Sequence, residues 1–230
     1  MNGILLVDKP SGWTSFDVVG KVRRMATQAG FNVTNRKRFP VGHTGTLDPL
    51  AAGLLVLLLG NYTKKAPELT KLDKTYEVTM RLGQTSTTGD EEGQKTTTSK
   101  EQPSIESIQS ALSQFVGDIM QTPPAFSAIK INGQRAYKLA RKGEAPELKA
   151  RPVHIGQLKL VKYSYPDVEF LADVSSGTYI RSLVQDLGKT LGTGAYMAAL
   201  RRTKVGNFSI DNAVTIQELS PEELGHRLIK

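Results

Sequence analysis

Cysteine is absent from the 230 residues. That excludes disulfides and thiolate-bound metal. Histidine occurs only at His43, His154 and His226, too sparse a set for a zinc centre to be expected, and no metal ligands are assigned. Tryptophan occurs once, as Trp13, and is read as a packing residue. Long apolar runs are missing too. The longest, Leu50 to Leu59, is too short to cross a bilayer as a helix. The start, Met1 to Asp8, lacks a cationic n-region and reads as a strand, not a signal peptide. A soluble cytoplasmic protein is the expected class. Acidic residues are outnumbered, 22 against 30 Lys and Arg, which leaves a net charge of +8. This surplus points to a polyanionic partner, most often nucleic acid, although a generally basic soluble protein accounts for charge alone equally well.

What is present centres on one loop, Gly42-His43-Thr44-Gly45-Thr46-Leu47-Asp48-Pro49-Leu50-Ala51-Ala52-Gly53. Its three glycines permit tight turns, and Leu47 and Leu50 anchor either side of the single carboxylate, Asp48. Pro49 biases Asp48 toward extended backbone and so narrows where that carboxylate points. A plain N-cap role, with Pro49 opening one helical turn, is the alternative. The run from Leu54 to Leu59 reads as a buried strand fixing the loop's base.

Around the loop, Ile4 to Val7 reads as a short strand leading into a turn-rich stretch, in which Lys9 is a phosphate or loop contact. Thr14 and Asp17 form a capping-box pattern, opening a helix to about Ala29 with Phe16, Val19, Val22 and Met25 as its apolar stripe. Asn35-Arg36-Lys37-Arg38 delivers three cations just before the loop. From Thr75 to Leu82 the pattern alternates, placing Tyr76 with Val78, Met80 and Leu82 as a core aromatic. Gln84 to Lys100 reads as a loop turning at Thr88-Gly89-Asp90. Ser104 is expected to cap a helix with Ile105, Ile108, Leu112 and Phe115 on one face. Between Gln121 and Pro152, Lys130, Arg135, Lys138 and Arg141 lie among Phe126 and Tyr137, a mixture of cations and aromatics that suits RNA. A solvated basic hairpin is the alternative. After a strand from Val168 to Val174, a helix carries Ile180, Leu183, Val184 and Leu187 inward. Arg181 falls in its first turn, where the helix dipole disfavours a cation unless an anion pairs with it or the side chain snorkels to the surface. Ser220-Pro221-Glu222-Glu223 is expected to start a short terminal helix.

Five stretches, in order, resemble the bacterial TruB-type tRNA pseudouridine-55 synthases. They are Asp8-Lys9-Pro10-x-Gly12-x-Thr14-Ser15, the Gly42 to Ala51 loop, Lys74-x-Tyr76, Gly177-Thr178-Tyr179-Ile180-Arg181-Ser182-Leu183, and Leu200-Arg201-Arg202-Thr203-Lys204-Val205-Gly206-x-Phe208. The likeness is collinear from about residue 2 to residue 211. It implies an α+β pseudouridine-synthase fold, with a mixed, largely antiparallel sheet flanked by helices and loops. It also implies isomerisation of a T-loop uridine in tRNA without metal or organic cofactor. By the same resemblance Asp48 is the essential aspartate, Tyr76 stacks on the base, and Arg181 pairs with the aspartate. Leu200 lies beside the target base, and His43 fills the space that base vacates. Asp90 sits on a second substrate-facing loop, Tyr179 joins the substrate contacts, and the insertion at about 121–152 grips RNA. One catalytic domain over 1–230, without the family's usual C-terminal PUA domain, is expected. So is a free monomer with no obligate protein partner.

The chemistry is redox-neutral: a C–N glycosidic bond breaks, the freed uracil turns, and a C–C bond forms at C5. Water must stay out. One ionised carboxylate near the ribose can act as a nucleophile at C1′ or a base at C2′, and the sequence does not choose between them. Arg181 is expected to orient Asp48 and keep it charged. Two other readings stay open: a dyskerin-like, guide-directed synthase, and a non-catalytic tRNA chaperone.

Overall fold

An unbroken apolar run means a strand covered on both faces, and Leu54–Leu59 is one. Leu54, Val56 and Leu58 pack with Ile4, Leu6 and Val205. Leu55, Leu57 and Leu59 pack on the other side with Leu5, Val7 and the inner face of a helix. All six residues are fully buried, and each aliphatic side chain so buried contributes roughly 2 kcal/mol before conformational entropy is counted.

The computed structural model describes residues 1–31, 38–127, 129–131, 133–144 and 148–230. The cations Arg36 and Lys37 lie outside the described residues. In chain order the elements are β1 (Gly3–Lys9), α1 (Ser15–Gln28), β2 (Val41–His43), β3 (Ala52–Leu59), α2 (Ala66–Leu69), β4 (Lys74–Leu82), β5 (Gln84–Ser86), β6 (Lys95–Thr97), α3 (Ile105–Gln114) and β7 (Gly117–Gln121). Then follow β8 (Lys130–Ile131), β9 (Gln134–Arg135), α4 (Ala136–Arg141), β10 (Arg151–Ser164), β11 (Asp167–Val174), α5 (Ile180–Thr190), β12 (Ala195–Val205), β13 (Phe208–Ser209) and β14 (Val214–Thr215). Two compact units result: Met1–Tyr76 with Leu200–Lys230, and Glu77–Ala199.

In the first unit, β3 runs antiparallel to β1, from Gly3 opposite Leu59 to Lys9 opposite Gly53. It is also antiparallel to β2, and parallel to β12 at Ala52 and Gly53. β14 adds in parallel to β1. Helix α1 starts on the expected capping box, with Thr14 accepting from the Asp17 amide and Asp17 accepting from the Thr14 amide. Its buried face is Val18, Val19, Val22, Met25 and Ala26. Phe16 departs from the expected stripe, because Ser15 takes the inward position and turns Phe16 out to 71% exposure. Trp13 packs against this core as expected.

In the second unit, β11, β10 and β7 form an antiparallel set. β11 alternates buried and half-buried residues along its length, as its sequence requires. Helix α5 buries Ile180, Leu183, Val184 and Leu187. Helix α3 is capped by Ser104 and buries Ile108, Ala111 and Leu112, while Ile105 stays half exposed at the first position. The stretch expected as a loop, Gln84 to Lys100, instead contains the β5–β6 hairpin, paired from Gln84 opposite Thr97 to Ser86 opposite Lys95. The expected terminal helix is a run of hydrogen-bonded turns, with Leu224 N–H donating to the Ser220 carbonyl. Among the described residues, no helix is long and apolar enough to cross a membrane.

Candidate active site

The Asp48 loop is tied down through its own carbonyls. Lys9 Nζ donates to Trp13 O at 2.6 Å, Pro10 O at 2.9 Å and Pro49 O at 3.4 Å. The Gly12 amide also donates to Pro49 O, and Ser11 Oγ donates to Leu50 O. Ser15 Oγ both donates to Leu47 O and accepts from the Leu47 amide. On the far side, Arg202 Nε donates to Leu54 O at 2.8 Å and Nη2 to Gly45 O at 3.0 Å. Residues 47, 49 and 50, which flank Asp48, are therefore each held by a partner remote in sequence. No helix forms at Asp48-Pro49, so the N-cap alternative fails; a single turn closes instead, from the Ala51 amide to the Asp48 carbonyl. Gly53 completes the base. Its φ is +101°, and a Cβ there would lie 2.3 Å from Arg202 O.

The loop sits over buried positive charge. Lys9 and Arg202 are almost wholly buried and Lys74 nearly so. Burial, opposed by the Asp48 carboxylate and reinforced by Arg202, pushes the Lys9 ammonium down to about 8. Burial and Arg202 push Lys74 down to about 8 as well. Lys74 Nζ donates to the carbonyls of Thr70 and Leu72. His43 is held below its ordinary value by burial first and Arg202 second, so its ring is neutral at pH 7. Its Nδ1 accepts from the Gly45 amide at 3.3 Å. Lys9 thus contacts the loop through its carbonyls and is buried.

In the second unit, Arg181 is 5% exposed in the first turn of α5. Nη1 donates to Thr88 O at 3.1 Å, and Nη2 donates to Phe126 O at 2.8 Å. Nη1 also lies 3.6 Å from Asp90 Oδ2. The anion that a first-turn arginine calls for includes Asp90. Asp90 is itself buried rather than facing solvent, and it accepts from Thr88 Oγ1 and the Glu92 amide. The start of α5 is fixed by the buried Gln121, whose amide brackets Tyr179: Oε1 accepts from the Tyr179 N–H and Nε2 donates to its carbonyl.

Tyr76 is buried on β4 and Leu200 half-buried on β12. Lys130, Arg135, Lys138 and Arg141 are all exposed, on β8, β9 and α4. Lys130 stands directly opposite Arg135 in register. The Arg141 guanidinium lies 5.6 Å from the Tyr137 ring centre. Asp48, His43, Lys9, Tyr76 and Leu200 belong to the first unit, and the other expected site residues to the second. Sequence reasoning did not single out Arg202, Ser15 or Gln121. The only local signal was that Arg202 and Ser15 fall in matched motifs; Ser15 and Gln121 act through partners 32 and 58 residues away.

The fold is shared with a chain in the "Crystal Structure of a Cbf5-Nop10-Gar1 Complex", at a TM-score of 0.71 and 28% identity, covering 94% of this chain and 53% of that one. It is shared also with one in the "Structure of H/ACA RNP bound to a substrate RNA containing 2'-deoxyuridine", at 0.68 and 26%, covering 94% and 52%. The chain spans about half the length of these solved chains. The TruB family pseudouridylate synthase N-terminal domain matches residues 32–180, and the tRNA pseudouridylate synthase B C-terminal domain matches 181–225. The tRNA pseudouridine synthase B of Mycobacterium sp. (strain KMS) is 47% identical, over 98% of this chain and 75% of its own. That of Burkholderia pseudomallei (strain 668) is 44% identical, over 95% and 69%. Fold and family matches together define a pseudouridine synthase. Within that class, the chain belongs to the TruB family.

Proposed function

We propose that this enzyme isomerises the uridine at position 55, in the T-loop of tRNA, to pseudouridine, acting as a monomer in the cytoplasm without a guide. Asp48 supplies the carboxylate that works at the ribose of an extruded nucleotide, and Arg181 orients it. Tyr76 stacks on the base, Leu200 lines its apolar side, and neutral His43 occupies the space the base has left. Lys130, Arg135, Lys138 and Arg141 grip the phosphates, with Tyr179 as a further contact. Extrusion costs a few kcal/mol, which stacking and occupation of the vacancy offset.

The observation that carries this reading is the tethering of the loop around Asp48. Side chains from β1, α1 and β12 hold its carbonyls, and buried cations lie beneath it. A carboxylate needed only for surface charge requires none of this. A catalytic one must be held to within a fraction of an ångström. The test is tritium release from tRNA carrying uridine tritiated at C5, with wild type against Asp48→Asn. Release should fall on the order of a thousandfold or more in the variant, while tRNA binding persists. Equal release from both proteins would end the proposal.

One rival has an observation behind it, since the fold neighbours are chains of the Cbf5-Nop10-Gar1 and H/ACA assemblies. Release from bare tRNA by the purified chain separates the guide-independent reading from a guide-directed one.

A further inference from the structure

We propose that the outward face of α1 is a docking strip for the substrate RNA, with Phe16, Gly20 and Arg24 as its contact residues. The inference rests on the reading that the substrate is RNA. With Val18, Val19, Val22, Met25 and Ala26 turned inward, the 3.6-residue period places residues 16, 20 and 24 in one line on the opposite face.

Two features of this line have no explanation among the described residues. Phe16 is 71% exposed, more than any other large apolar side chain described. Its ring and that of His43 form a T-shaped pair, with centroids 5.7 Å apart and planes at 83°, and most of the phenyl surface stays exposed. Gly20 lies inside a helix, where glycine is less stable than alanine. A Cβ at Gly20 would meet nothing within 4 Å, and its φ is not positive. Neither packing nor backbone geometry therefore calls for a glycine. What its bare backbone offers is close approach by something outside the chain. Arg24, one turn further on, is exposed.

An aromatic face, a side-chain-free notch and a cation at one-turn intervals match the base, sugar and phosphate of a nucleic acid strand. The strip is also tied to the site. Arg23, on the same helix, donates to Phe39 O and Val41 O, each at 3.2 Å, and β2 runs from Val41 to His43. Residues of α1 and the His43 ring are thus held in one framework, with Phe16 extending the aromatic surface that His43 begins.

The test uses the full chain and unmodified tRNA, reading thermal midpoint, KM and kcat together. Gly20→Ala should raise the midpoint, because alanine favours the helix, yet raise KM several-fold. A purely structural glycine cannot produce that pair of opposite signs. Phe16→Ala should raise KM about tenfold with a far smaller loss in kcat, as expected for a lost base–aromatic stack, and Phe16→Trp should restore it. Arg24→Gln should lower the slope of log affinity against log salt by about one. A stabilised Gly20→Ala variant with wild-type KM, alongside Phe16→Ala with wild-type KM, overturns the strip while leaving the enzyme reading intact. A wild-type protein that neither binds nor modifies tRNA overturns both.

Discussion

Among the described residues each unit buries one arginine, and the two are satisfied differently. Arg202, in the first, gives its guanidinium to the carbonyls of Gly45 and Leu54. Arg181, in the second, also reaches two carbonyls but faces the Asp90 carboxylate in addition. A carbonyl satisfies a donor without cancelling its charge; a carboxylate does both. Arg202's charge therefore remains felt, and it depresses His43, Lys9 and Lys74 around it. The first unit stores positive potential under the loop that bears Asp48, whereas the second sets the Asp90 carboxylate beside its cation. One arginine shapes a loop and its field; the other is a positioned group that has a carboxylate beside it.

Replacing Arg202 with Met should break this contrast most severely. Two buried carbonyls lose their donors, and urea unfolding should show a loss of about 3–5 kcal/mol. The His43 titration, followed by NMR, should move back up toward its ordinary value. A loss under about 1 kcal/mol would mean that the clamp contributes little. Asp90→Asn should cost less, about 1–3 kcal/mol, because Arg181 keeps its carbonyls. Its larger effect should be on kcat, which steady-state turnover would reveal. Smaller again are the two hydroxyl clamps. Ser15→Ala removes two hydrogen bonds to Leu47 and should cost about 2 kcal/mol, while Ser182→Ala removes one, to Thr122 O, and should cost about 1 kcal/mol.

The gentlest effect is a slope against pH. Lys9 titrates near 8 in the folded chain against 10.5 in the open chain. Between those values the unfolded state holds the extra proton, so stability rises with pH there and is flat below. In urea titrations across that window, wild type should gain on Lys9→Met as pH increases. A constant difference would remove the shift.

These contrasts mark what the sequence carried and what it did not. Local periodicity was enough for β3, β4, β11, the Thr14 capping box and the core face of α5, because each depends on residues within a turn or two of one another. The same locality explains the misses. Phe16 looked like part of the apolar stripe because nothing nearby says that Ser15 will turn inward to reach Leu47. Gln84 to Lys100 looked like a loop because β5 and β6 pair through backbone groups with polar side chains on both strands, so no apolar alternation marks them. A wholly buried Arg202 is illegible for the same reason: the acceptors that make burial tolerable are main-chain carbonyls, which leave no trace in composition. Asp48, Tyr76 and Arg181 stand out locally by loop, alternation and helix position, but the joint role proposed for them comes only from the collinear set of motifs.

The reach of Arg202 back to Gly45, across 157 positions, has a consequence for how the enzyme comes into being. On the ribosome, the loop that bears Asp48 is therefore made well before the guanidinium that braces it. Until Arg202 has emerged, the Gly45 carbonyl is without the donor that holds it in the folded protein.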